Sequence, residues 1–377
     1  MKTLKRILIC IGVFILLSLC ITTITGTNYV YKAIWYNYAD LDDYKIFKNR
    51  NVDAGKPQPI FNSTSYNKQK LPADLRSELE KIKTVSLLVL KNDSAVYEEY
   101  WDNYTDSSLS NSFSVAKSII SILTGIAIDE GKIKSLDEPV ADFLPEFKEG
   151  EKAKVTIRNL LTMSSGTNWD ESYASPFSNT TEAYYGTDLY SLVTRCKIKK
   201  TPGSEFRYKS GDTELMGLIL EKATGKNLSD YASEKLWKPL GAAHTAQWSL
   251  DKTNGHEKAY CCFNTNARDF SRIGSLYLHG GNWKGKQIVD SAFVKESLTP
   301  SLINNEEGKP CTYYGFFWWL LDDKPGIFYA RGILGQYIIC IPEKNIVIVR
   351  LGNKRGDEEN HSYHEVYSMI DWAMKTF

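Results

Sequence analysis

The sequence predicts an α+β protein, an α/β sandwich whose antiparallel sheet is flanked by helices and interrupted by a large, mostly helical inserted subdomain, with one transmembrane helix ahead of it. The prediction rests on three features. β-rich runs stand near both ends of residues 71–377, helical periodicity fills the stretch between them, and residues 7–24 are apolar and uncharged.

At the N-terminus, Lys2, Lys5 and Arg6 precede the run Ile7 to Ile24, which as a helix would be roughly 27 Å long at 1.5 Å per residue. That matches the hydrocarbon core of a bilayer. The basic flank would stay cytoplasmic and the bulk of the chain would lie outside the cytoplasm. Residues 1–26 are therefore read as a cytoplasmic tip and a single-pass membrane anchor. A cleaved signal peptide, leaving a secreted protein, is the competing reading, but no small-x-small cleavage site follows the run. Leu17-Ser18-Leu19-Cys20 departs from a lipoprotein cleavage box at the bulky Leu19.

Residues 27–70 are polar and tyrosine-rich, with Gly55, Pro57 and Pro59, and are expected to form an extracytoplasmic stalk and lead-in strand. After Pro72, Leu75, Leu79 and Ile82 share one helical face. Thr84 to Leu90 and Ser94 to Trp101, separated by the turn signal Asn92-Asp93, predict a hairpin. Ser114 to Ile128 is apolar on more than one face, which predicts a helix buried on nearly all sides and stopped at Gly131. Short helices are expected from Leu136 to Pro145 and from Thr156 to Met163. Helical spacing returns over Asp212–Lys222, Leu228–Trp237 and Ala267–Leu278. Beyond Gly280-Gly281, strands are expected at Tyr313–Leu321, Ile327–Ala330, Gln336–Ile341 and Ile346–Leu351, then a closing amphipathic helix at His361–Lys375. Residues 71–113 and 282–377 are thus assigned to a sheet subdomain and 114–281 to a helical one. Ser114 lies at their seam.

Composition narrows the function. The chain carries 46 basic and 45 acidic residues, so it lacks the cationic excess that drives nucleic-acid binding. Of seven cysteines, Cys10 and Cys20 fall in the apolar run, and Cys196, Cys261, Cys262, Cys311 and Cys340 contain no Cys-x-x-Cys. Neither a metal nor another cofactor is expected. One disulfide suits an extracytoplasmic location, with its pairing open.

The chemistry-bearing stretch is Ser114-Val115-Ala116-Lys117 at the head of the buried helix. Three residues apart, the two side chains share a helical face, and burial makes a lysine easier to deprotonate. Such a lysine can take the proton from a serine nucleophile, and free N–H groups at a helix N-terminus face developing negative charge. Tyr208 stands just before the next helix, where its phenol could exchange protons if Lys117 lowered its pKa from about 10. Ala330-Arg331-Gly332-Ile333-Leu334-Gly335-Gln336 spans the junction of two strands, where glycines let the backbone approach a substrate. Other hydrolase signatures are missing: there is no Gly-x-Ser-x-Gly, and neither His256-Glu257 nor His364-Glu365 is followed by a second histidine at metalloprotease spacing. His244, His279 and His361 are isolated and read as packing or surface residues.

With these residues in place the chain resembles the serine β-lactamase-related family, which includes class C β-lactamases, D-alanyl-D-alanine peptidases, family VIII esterases and 6-aminohexanoate-dimer hydrolase. Ser114-Val115-Ala116-Lys117 matches its first motif, Tyr208-Lys209-Ser210 its second, and Ile333-Leu334-Gly335 stands at its third. Leu160 to Gly166, Pro239-Leu240-Gly241 and Ala267 to Gly274 fit as well, so the resemblance covers roughly Leu71 to Phe377. It implies an acyl-enzyme route with Ser114, Lys117 and Tyr208 as catalytic residues and the backbone N–H groups of Ser114 and Gln336 as oxyanion hole. It also implies a substrate site including Ser210, Trp169, Asp170, Ile333 and Gly335.

Two departures matter. Ile333 stands where lactamases and peptidases carry a cation for the substrate carboxylate, with Arg331 a partial substitute, and Ser210 replaces an asparagine. Penicillins and D-alanyl peptides are therefore expected to be poor substrates, and the sequence resembles the 6-aminohexanoate-dimer hydrolase and esterase branch more. Asp170 and Glu171 could meet a substrate amine or form a solvated loop. The expected function is a membrane-anchored extracytoplasmic serine hydrolase of a small-molecule amide or ester. The alternatives are a β-lactamase or D-alanyl-D-alanine carboxypeptidase, or a non-catalytic envelope scaffold on the same fold.

Overall fold

A computed structural model describes residues 2–377. Its helices are α1 (Lys2–Thr25), α2 (Tyr29–Tyr36), α3 (Ala73–Lys81), α4 (Val115–Asp129), α5 (Ile157–Leu161), α6 (Asn179–Tyr185), α7 (Leu189–Thr194), α8 (Ser210–Thr224), α9 (Leu228–Ala232), α10 (Ala267–Leu278), α11 (Ser291–Ser297) and α12 (His364–Thr376). The strands are β1 (Lys48–Val52), β2 (Thr84–Lys91), β3 (Ser94–Tyr100), β4 (Ser110–Asn111), β5 (Ala246–Leu250), β6 (Phe263–Thr265), β7 (Asn282–Trp283), β8 (Lys286–Gln287), β9 (Trp319–Leu320), β10 (Phe328–Gly332), β11 (Gln336–Ile341), β12 (Ile346–Gly352), β13 (Glu358–Glu359) and β14 (Ser362–Tyr363).

Six strands in the order β3-β2-β12-β11-β10-β9 form one antiparallel sheet. The expected hairpin is β2–β3, and it joins the C-terminal strands through β12, so the helical block interrupts a single sheet. Alternation along β11 sorts the layers. A side chain on Gly274 of α10 would strike Ile338 and Val347, whereas the Tyr337 hydroxyl donates to Glu365 of α12 at 2.8 Å. Residues 337 and 338 point to opposite faces, so α10 covers one face and α12 the other. Residues 267–278, assigned from sequence to the helical subdomain, therefore belong to the sheet layer.

A second sheet, ordered β1-β5-β6-β4, lies partly inside the stretch expected to be mostly helical. Its strands are two to five residues long and take partners far away in sequence, such as Lys48 opposite Leu250, so no local periodicity announces them. β1 is the expected lead-in strand, but the stalk does not stand free: α2 packs on α6, with Tyr36 stacked over Tyr185 at 6.1 Å. The strand expected over Tyr313–Leu321 shrinks to β9. The Phe316 N–H bonds Ser297 rather than a neighbouring strand, and Phe317 turns through a φ of 60°.

α1 is long and apolar enough to cross a membrane, and its described side chains are unburied over most of its length. A signal sequence near an N-terminus has the same character.

Candidate active site

α4 is buried from Val115 to Ala127, and its first turn meets the second sheet. The Ser112 N–H donates to Phe263 O at 3.0 Å, and Ser112 Oγ accepts from the Phe263 N–H at 3.2 Å, which ties the approach to β6. Phe113 then takes a φ of 44°, a left-handed conformation that costs a non-glycine residue of order 1–3 kcal/mol. Its N–H is held by Asn111 Oδ1 at 2.9 Å. This sharp turn puts Ser114 at the N-cap of α4, yet its hydroxyl caps no N–H of the helix. The oxygen is not engaged by the helix backbone.

Lys117 is 1% exposed, and its Nζ donates to Ser114 Oγ at 2.9 Å and to Tyr260 O at 2.9 Å. Burial lowers its pKa from 10.5 to about 8, against the opposing pull of the Glu171 and Glu214 charges. A neutral amine is therefore accessible near physiological pH. Tyr208 lies on the other side, its ring centroid 5.1 Å from Lys117 Nζ. The loop before it is pinned to the Leu160–Gly166 segment: Gly203 N–H donates to Ser164 O at 2.8 Å and Arg207 N–H to Met163 O at 2.9 Å. Burial and then the Glu171 charge push the Tyr208 phenol up, and hydrogen bonding with Ser114 only partly opposes them. The condition that Lys117 lower this pKa is not met, because removing the phenol from water outweighs its neighbours.

The structure sorts the expected substrate residues into two groups. Ser114, Ser210 and Ile333 line one cavity of about 570 Å³. Trp169, Asp170 and Gly335 do not. Trp169 is 1% exposed and packs on Gly211, where a Cβ would lie 2.4 Å from its ring. Asp170 is exposed and accepts from the Ser172 N–H at 3.0 Å. Gly335 (φ 83°) turns against buried Arg350, whose Nη1 donates to Gly335 O at 2.7 Å. Of the acidic pair, Glu171 is the one at the site. Its carboxylate accepts from Ser210 N–H and Oγ, both at 2.7 Å, and from Trp169 Nε1 and Tyr173 Oη, both at 2.8 Å. Arg331 also falls outside the cavity: its guanidinium stacks 3.3 Å over Trp319 and donates to His361 O at 2.8 Å. Gln336 is buried, with its side chain donating to Ile333 O and Gly352 O. Only its backbone is left to face a substrate.

Sequence reasoning missed part of the cavity wall. Tyr184, Tyr260 and Cys261 line it, and so do Ala33, Ile34 and Tyr38 from the segment taken as a stalk. Cys261 is disulfide-bonded to its neighbour Cys262. Adjacency in the sequence pointed to neither metal nor pairing. No histidine lines this cavity; His256 bonds Glu221 at 2.7 Å and His279 bonds Asp93 at 2.8 Å.

Residues 73–368 match the family described as Beta-lactamase. The 6-aminohexanoate-dimer hydrolase of Paenarthrobacter ureafaciens is 28% identical over 314 residues, covering 79% of each chain. A Bacillus anthracis structure provisionally assigned to the same activity superposes with a TM-score of 0.75 at 22% identity, over 89% of this chain and 91% of that one. A family VIII carboxylesterase superposes with a TM-score of 0.64 at 16% identity, over 88% and 100% of the two chains. The fold is the β-lactamase/transpeptidase-like one.

Proposed function

The chain belongs to the beta-lactamase family and is a serine hydrolase of amides or esters, and from that premise we propose that it is membrane-anchored, works outside the cytoplasm and uses Ser114, Lys117 and Tyr208 as its catalytic residues. The observation that carries the assignment of residues is the hydrogen bond from Lys117 Nζ to Ser114 Oγ at 2.9 Å, with Ser114 on the cavity wall and the Tyr208 ring centroid 5.1 Å from Lys117 Nζ.

In the proposed mechanism, neutral Lys117 takes the Ser114 proton as the hydroxyl attacks the substrate carbonyl. The backbone N–H groups of Ser114 and Gln336 receive the oxyanion. Support for Gln336 comes from its pairing with Gly332, which packs so closely on the Ser112 carbonyl that the start of β11 is drawn beside the Ser114 turn. Tyr208, kept as a neutral phenol by burial, then donates a proton to the leaving oxygen or nitrogen and recovers one from Lys117. Water releases the acyl group by the reverse order of transfers. Trp169 and Glu171 act behind this set, holding Ser210 at the cavity wall.

The relatives named above are a dimer-amide hydrolase and a carboxylesterase, which makes simple amides and esters the first substrates to try. Ile333 stands where the family carries its carboxylate-binding cation and Arg331 is engaged elsewhere, while the cations that line the cavity, Lys354 and Arg355, come from a different segment, so penicillins are proposed to be poor substrates. Purified full chain is expected to hydrolyse p-nitrophenyl esters, to be labelled by a fluorophosphonate at Ser114, and to turn over nitrocefin slowly. Absence of both hydrolysis and labelling, or labelling that persists in Ser114→Ala, would overturn the assignment.

A further inference from the structure

The cavity that holds Ser114 is walled in part by the segment that immediately follows α1. Gly26, Thr27 and Asn28 alone separate α1 from α2, and the two helices touch: Ser18 Oγ and Tyr31 Oη are 2.6 Å apart, and Thr22 Oγ1 donates to Tyr31 Oη at 3.3 Å. Ala33, Ile34 and Tyr38 then complete the wall opposite Tyr184 and Tyr185 of α6. If α1 spans a bilayer, the mouth of this cavity lies at the membrane surface. It has no length of chain in which to be anywhere else.

Exposed large apolar side chains are concentrated around the mouth, beside the exposed cations Lys354 and Arg355 that also line the cavity. Among the described residues outside α1, the exposed large hydrophobic side chains are Ile34, Trp35, Tyr36 and Tyr38 on α2 and its exit, Tyr173 and Phe177 on the facing loop, and only Phe61 and Leu302 elsewhere. Trp35 is 83% exposed and Tyr38 80%. A soluble domain gains nothing by leaving these in water, whereas tryptophan and tyrosine are favoured at the headgroup level of a bilayer. Inside, the cavity of about 570 Å³ is mostly apolar, large enough for an aliphatic chain, and continuous from Ser114 to Ile34.

We infer that the substrate is a long-chain acyl ester or amide resident in the bilayer that carries the anchor, with its acyl chain seated in the cavity that α2 and α6 both line. The inference rests on the proposed membrane anchoring and on Ser114 as nucleophile. The chain enters from the membrane surface through the Ile34–Tyr38 rim and brings its carbonyl to Ser114. Ser114 Oγ forms a bond to the acyl carbon, the bond to the head oxygen or nitrogen breaks, and the head leaves with the proton that Ser114 gave up. Water then attacks the acyl-serine and releases the fatty acid, returning a proton to Ser114. No oxidant, reductant or further co-reactant is needed.

The test uses the full chain reconstituted in phosphatidylcholine vesicles, with initial rates for p-nitrophenyl acetate, butyrate, octanoate and dodecanoate in the wild type, Ile34→Glu and Ser114→Ala. Burying added methylenes in the cavity is expected to raise kcat/KM by at least about tenfold from butyrate to dodecanoate. Ile34→Glu, which puts a carboxylate in the chain's path, is expected to lower the dodecanoate-to-butyrate ratio at least about tenfold. A wild-type series that is flat or falls with length, with Ser114-dependent hydrolysis of the short esters intact, overturns the acyl-chain site and leaves the hydrolase assignment standing. A rise with length that is the same in Ile34→Glu reflects partitioning into the vesicle and also overturns it. Loss of Ser114-dependent hydrolysis at every length overturns the underlying assignment and the inference with it.

Discussion

Lys117 is 1% exposed and still has only two hydrogen-bond acceptors for its three N–H groups, Ser114 Oγ and Tyr260 O. Its charged form is therefore poorly solvated, and the pKa falls to about 8. With the deprotonated amine as the proposed base, kcat/KM is expected to rise about tenfold per pH unit below pH 8 and to level above it. A profile that stays flat from pH 6 to 9 would contradict Lys117 as base. Lys117→Arg installs a group that cannot lose its proton and is expected to lower kcat by about 10²–10⁴-fold, measured on a short ester. Ser114, Lys117 and Tyr208 were legible as residue types at a helical and a loop position. The direction of the Tyr208 shift was not, because it depends on how completely folding removes the phenol from water. Glu171 rather than Asp170 reaches Ser210 for a similar reason: adjacent residues point to different sides, and the sequence does not say which side is the cavity.

At the scale of elements, the site is held by contacts between segments that are individually unremarkable. β10 runs past the Ser114 turn so closely that a Cβ on Gly332 would lie 2.3 Å from Ser112 O, a backbone atom that cannot rotate away. Gly332→Ala is therefore expected to destabilise the fold by about 1–3 kcal/mol and to reduce activity, read from the urea midpoint and from ester hydrolysis. An unchanged midpoint would mean that β10 has slack beside the turn. α4, α8, α10 and the β2–β3 hairpin were all legible because each carries its own periodicity or turn signal. β5 and β6 were not, since strands of five and three residues acquire their identity from distant partners. α2 was overlooked for a related reason, as an eight-residue helix is too short to persist on its own and owes its form to packing against α6.

At the scale of the whole molecule, the apolar α1 and the catalytic domain act on one question, which is where the cavity opens. If α1 stays in place as an anchor, the full chain is expected to sediment with membranes and to remain there after alkaline carbonate extraction, with the catalytic domain open to protease added outside intact cells. Release of the domain by carbonate, or a mature N-terminus beyond Thr25, would show that α1 is a cleaved signal and would remove the cavity from the membrane surface. By itself the sequence determined the sheet-and-helix order, the apolar N-terminal run and the Ser114–Lys117 and Tyr208 motifs, because periodicity, turn residues and short spacings are properties of neighbouring positions. Only the tertiary structure decided that Ala33, Ile34 and Tyr38 share a cavity with Ser114, that Glu171 backs Ser210, and that Trp169 and Gly335 serve the scaffold. Those are relations between segments far apart in the chain, set by how apolar faces find each other and by which polar groups are then left without water.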